Sequence, residues 1–63
     1  MPLIDIKIIE GRKPEKIDSL IQNVTETVSN TLDAPKQNIR VIIHEIPKTH
    51  WSIGGVSAKN LDR

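Results

Sequence analysis

The sequence predicts a small mixed α/β (α+β) fold, a β-α-β unit followed by a short C-terminal hairpin, and three observations carry that prediction. Residues 3–9 and 39–46 alternate with the two-residue period of strands. Between them, apolar residues recur at three- and four-residue steps, the period of a helix with one buried stripe. After the second strand, the adjacent glycines Gly54 and Gly55 mark a tight turn.

The first strand sets Ile4, Ile6 and Ile8 on one face and Leu3, Asp5, Lys7 and Ile9 on the other. Glu10 and Gly11 break this alternation. Pro14 then suits the first turn of a helix, where its missing N–H leaves no bond unmade, although Lys13 before it is a poor cap. Ile17, Leu20, Ile21, Val24, Val28 and Leu32 form the apolar stripe, about five turns long. Asp33, Ala34 and Pro35 end the helix, because the proline biases Ala34 away from helical geometry. A loop runs to about Asn38, and Ile39–Ile46 forms the second strand, with Ile39, Val41 and Ile43 facing one way and Arg40, Ile42 and His44 the other. Pro47 closes it. A strand, crossover helix and strand in this order require parallel pairing. The tail from Trp51 through Val56 is expected to form the hairpin or arm.

At 63 residues the chain suits a single domain spanning 1–63, too small to cover both faces of a sheet with its own helices. One helix covers one face, so Leu3, Ile9 and Ile42 are left on the other. Two strands alone are barely stable. Self-association, with uncovered faces and strand edges joining between copies, is the expected resolution. With 11 isoleucines and a lone aromatic residue, Trp51, the core is built from branched aliphatic side chains.

Charge excludes some functions. Nine basic and eight acidic residues leave a net charge of +1, so no single-sign field draws the chain to nucleic acid or to a membrane. Without cysteine there is no disulfide, thiolate metal site or cysteine nucleophile. No stretch approaches a spanning helix or a secretory leader, and a cytoplasmic location is expected. His44 and His50, six apart, do not match a metal-binding spacing, so no metal is expected. The glycines lack the patterns that cradle phosphate, and no nucleophile elbow is present.

One feature of the N-terminus stands apart: Pro2 follows Met1 at the head of an apolar strand. Removing the methionine exposes a secondary amine. By position alone this is weak, since many chains begin Met-Pro. Taken alone, Arg12 also reads as a solvated loop charge, Arg40 as an edge-strand charge and Trp51 as an interface anchor.

Five segments change the weight of these residues: Pro2-Leu3-Ile4-Asp5-Ile6, Glu10-Gly11-Arg12, Leu32-Asp33-Ala34-Pro35, Ile39-Arg40-Val41-Ile42-Ile43 and Ile53-Gly54-Gly55. In order and spacing, over essentially the whole chain, they resemble the 4-oxalocrotonate tautomerase family. The resemblance implies a tautomerase-like subunit, paired with a second subunit into a four-stranded sheet, with three such dimers in a homohexamer. It implies an enzyme without a cofactor that carries out enol–keto or allylic isomerisation of an unsaturated 2-oxo acid such as 2-hydroxymuconate. Carried over to this chain, the base is the amine of Pro2, the carboxylate-binding arginines are Arg12 and Arg40, and the active-site aromatic position holds Trp51, where other members usually carry phenylalanine. The chemistry is coherent. A neutral amine moves a proton between oxygen and carbon, and an arginine fork matches a carboxylate. Burial and the two guanidinium charges both favour the neutral amine. If Met1 were retained, Pro2 would be an amide nitrogen without a basic lone pair, so the functional form is expected to begin at Pro2. Two competing readings are a noncatalytic self-assembling module on the same scaffold, and a hydratase or dehalogenase, for which no residue clearly supplies the acid that directs water.

Overall fold

The computed structural model describes residues 1–62. Strand β1 (Leu3–Ile9), helix α1 (Pro14–Leu32) and strand β2 (Arg40–Ile46) form the β-α-β unit, and two short strands, β3 (Ser52–Ile53) and β4 (Val56–Ser57), form the hairpin. β1 and β2 are parallel, in register from Leu3 opposite Arg40 to Ile9 opposite Ile46. Paired residues in such a ladder share a face. Ile4, Ile6 and Ile8 therefore lie with Val41 and Ile43, while Leu3, Asp5, Lys7 and Ile9 lie with Arg40, Ile42, His44 and Ile46.

α1 packs on β2, with Ile17, Leu20, Ile21, Val24 and Val28 half-buried. Leu32, the last residue of the expected stripe, is exposed. A 19-residue helix is about 28 Å long and a seven-residue strand about 23 Å, so the helix outruns the sheet. Its N-terminus has the weak start read from the sequence: Lys13 makes no side-chain cap bond, and Pro14 occupies the first turn. Its C-terminus is closed by Asp33 in the left-handed region (φ 54°). There the Ala34 N–H donates to the Ser29 carbonyl at 3.2 Å and the Ser29 hydroxyl donates to the Ala34 carbonyl at 2.7 Å.

The second strand begins one residue later than expected. Ile39 closes the 3₁₀ turn Lys36–Asn38, its N–H bonded to the Lys36 carbonyl, and it is the most buried large side chain among the described residues, 7% exposed. The turn aims Ile39 into the contact between helix and sheet before the ladder starts. After β2, a second 3₁₀ turn, Lys48–His50, leads to Trp51, whose carbonyl accepts the N–H of the fully buried Ala58 at 2.6 Å. β3 and β4 meet through Gly54 and Gly55, with φ of 61° and 87°, as a two-residue hairpin loop of the mirror-image type requires.

The other sheet face is open, as its sequence pattern required: Leu3 is 62% and Ile42 44% exposed. The chain's accessible surface is 4822 Å², against about 4,100 Å² for a compact monomer of this mass. Its radius of gyration is 14.5 Å, against about 11 Å expected, and it measures 42 × 24 × 13 Å. These are the proportions of a plate that needs neighbours.

Candidate active site

Pro2 lies directly ahead of β1, half-buried, and its carbonyl accepts the N–H of Arg40 at 3.0 Å. The parallel register thus holds two of the four expected site residues side by side at the N-terminal end of the sheet. Arg40 is exposed on the open face, and its guanidinium donates to the Gln37 carbonyl at 2.9 Å. That bond ties the charge to the turn preceding β2. Met1 is 83% exposed and outside any strand.

Arg12 lies at the opposite end. Gly11, at φ 120°, turns the chain after β1, and the Arg12 guanidinium donates to the Ile9 carbonyl at 2.8 Å. Ile9 is seven residues along the strand from Pro2, so at about 3.3 Å per residue this guanidinium, held at the Ile9 carbonyl, is about 23 Å from Pro2. Trp51 belongs to the same end as Arg12, since the Glu10 N–H bonds to the Ile46 carbonyl at 2.9 Å and the chain leaves β2 there through the Lys48–His50 turn. Trp51 is half-buried, and an open cleft at this end is lined by Glu10, Gly11, Glu45, Pro47, Lys48, Thr49 and Lys59. The four residues therefore form two pairs, Pro2 with Arg40 and Arg12 with Trp51, at opposite ends of one chain. The sequence contained a signal for this separation: seven consecutive strand residues between Pro2 and Arg12 cannot fold back within a single subunit.

His44 is on the strand surface and His50 in the turn after β2, as read from the sequence. The His50 Nδ1 lies 2.8 Å from the Thr49 hydroxyl. Among the described residues, no group of three or more His, Cys, Asp or Glu side chains is placed to hold a metal ion, and no helix is long and apolar enough to cross a membrane. A contact that sequence reasoning missed is on the open face, where His44 Nε2 is 2.7 Å from Asp5 Oδ1.

The sequence profile of the family described as "Tautomerase enzyme" matches residues 2–60, beginning at Pro2. The chain belongs to this tautomerase family. It is 51% identical over 63 residues to a 2-hydroxymuconate tautomerase of Stutzerimonas stutzeri, with all of both chains covered. Its fold superposes on a solved 4-oxalocrotonate tautomerase isozyme of Methylibium petroleiphilum with a TM-score of 0.93, at 48% identity, covering 98% of this chain and 100% of that one. A heterohexameric 4-oxalocrotonate tautomerase of Chloroflexus aurantiacus matches with a TM-score of 0.91, at 36% identity over 97% of this chain and 98% of its own. The tautomerase fold and tautomerase activity expected from the resemblance are those of the family. Members of this superfamily are oligomers, and the plate-like proportions of this chain fit that behaviour.

Proposed function

We propose that this chain, once Met1 is removed, ketonises a small unsaturated 2-hydroxy acid, 2-hydroxymuconate being the representative, in a cytoplasmic homohexamer whose sites are each built from more than one subunit. What carries this reading is that Arg12 and Pro2 stand at opposite ends of β1, about 23 Å apart at the rise of a strand, in a chain similar to a heterohexameric tautomerase. An Arg12 brought by a neighbouring copy, whose strands run the opposite way, supplies the missing cation beside Pro2.

In this site the Pro2 amine takes the proton of the enol hydroxyl. The O–H electron pair becomes the carbonyl π bond, the conjugated double bonds shift along the acid, and the ammonium of Pro2 returns the proton to carbon. No oxidant or reductant is consumed. Arg40 and a neighbour's Arg12 each offer a planar fork to a carboxylate, and their charges stabilise the electron density that spreads over the dienolate. Both charges also oppose protonation of the amine before substrate arrives. Trp51, from the Arg12 end, walls the site and excludes water.

The test is ultraviolet-monitored ketonisation of 2-hydroxymuconate by protein whose intact mass shows Met1 removed, alongside Pro2→Ala. Turnover reduced by at least about 10²-fold in the variant, with assembly unchanged, is expected for loss of a general base. Equal turnover in both proteins would remove Pro2 from the mechanism.

A further inference from the structure

We propose that Glu26 and Lys36 are positioning residues for Arg40: their ion pair fixes the turn whose backbone holds the Arg40 guanidinium. The inference rests on the reading above, in which Arg40 receives a substrate carboxylate.

An arginine fork binds by direction, so what aims the guanidinium matters as much as its charge. The Arg40 side chain is exposed, and its guanidinium donates to the Gln37 carbonyl at 2.9 Å. Gln37 is the middle residue of the 3₁₀ turn Lys36–Asn38. Three successive carbonyls are occupied there: that of Pro35 accepts the Asn38 N–H at 3.0 Å, that of Lys36 accepts the Ile39 N–H at 3.0 Å, and that of Gln37 accepts the Arg40 side chain. The carbonyls are directed by the turn as a unit, so a rotation of the turn carries the guanidinium with it.

The turn is anchored at both ends. Before it, the Ala34 carbonyl accepts the Ser29 hydroxyl, and after it Ile39 is buried. Its outer side lacks such packing, because an open cleft of about 270 Å³ lies where the turn faces α1, lined by Ile21, Gln22, Thr25, Glu26 and Lys36. At this cleft the Lys36 ammonium pairs with the Glu26 carboxylate of α1. Among the described residues, this is the one ion pair or side-chain hydrogen bond that joins the turn to the helix. Glu26 and Lys36 thus act through Gln37 and not on the substrate. Both side chains are more than half exposed, and an exposed pair of this kind bounds the effect at about fivefold.

Orientation and long-range charge predict different signs. If the two charges acted on an anionic substrate through their field, losing Lys36 would weaken the reaction and losing Glu26 would strengthen it. If they act as a pair on the turn, either loss weakens it.

Steady-state ketonisation of 2-hydroxymuconate by the assembled full chain, with Met1 removed, separates the two. Glu26→Gln and Lys36→Met are each expected to lower kcat/KM by about two- to fivefold, and the double variant to fall no further. Exchanging the charges, Glu26→Lys with Lys36→Glu, restores the pair and is expected to restore the wild-type value. In an Arg40→Gln background neither single substitution changes kcat/KM, an outcome that a general loss of stability would not produce. Wild-type values in both single variants, shifts of opposite sign, or the same loss without Arg40 would overturn the proposal and leave Arg40 in the site. Wild-type kcat/KM in Arg40→Gln itself would overturn the reading of Arg40 and this inference with it.

Discussion

Arg40 shows how a single residue is given its place. Its backbone N–H holds the Pro2 carbonyl, and its guanidinium is tied to the Gln37 carbonyl, so the charge stands beside the head of β1 without any contact between the two side chains. Arg40→Lys keeps the charge and removes the fork. We expect kcat/KM on 2-hydroxymuconate to fall by about 10²-fold, comparable with the loss of one oriented donor at a developing anion, with Arg40→Gln falling further. Steady-state kinetics on assembled protein checks this, and a lysine variant equal to wild type would reduce Arg40 to a general charge. Residue identities at this scale were only partly legible in the sequence. Pro2 is distinguished by nothing but its position after Met1, and an arginine in a loop or at a strand start is ordinary. It was the five-segment resemblance that picked out these residues. The Asp5–His44 contact escaped because it joins side chains two register positions apart on different strands, and the ladder had to be fixed before they became neighbours.

At the scale of elements, the sequence was read almost directly. The two-residue period over β1 and β2, the apolar stripe of α1 and the glycine pair of the hairpin each correspond to an observed element. The differences lie at ends, where local hydrogen bonds compete with periodicity. Ile39 has the period of the strand but closes a 3₁₀ turn, and Leu32 has the period of the helix but lies past the sheet. Ile39→Ala removes the best-buried large side chain among the described residues, and a loss of about 2–4 kcal/mol of stability in chemical denaturation is expected. The start of α1 offers the opposite change. Because Lys13 contributes no capping bond, Lys13→Ser gives the first turn an acceptor and is expected to gain about 1 kcal/mol, seen as a raised denaturation midpoint at unchanged slope. A variant no more stable than wild type would show that Pro14 and the backbone already satisfy this end.

The whole molecule is explained by what one chain lacks. A single helix leaves the open face uncovered, and the accessible surface exceeds that of a compact chain of equal mass by about 700 Å². The need for partners was legible from residue count and strand alternation, whereas their number was not, because no pattern within one chain records how many copies close the assembly. An assembled protein of this kind has a Tm that rises with protein concentration. Ile42→Glu, placing a charge in the middle of the open face, is expected to abolish that dependence by yielding monomers. The same geometry places Pro2 and Arg12, the groups of the proposed site, at the two ends of the sheet, so on that proposal assembly is required for chemistry as well as for stability. The most direct test is subunit complementation. Pro2→Ala and Arg12→Ala proteins, each inactive alone, are unfolded, mixed in equal amounts and refolded, and native mass spectrometry verifies that mixed oligomers form. With Pro2 and Arg12 supplied by different chains, random mixing leaves about a quarter of the sites with both groups, and about a quarter of wild-type activity returns. Mixed oligomers that remain inactive would contradict a site shared between subunits.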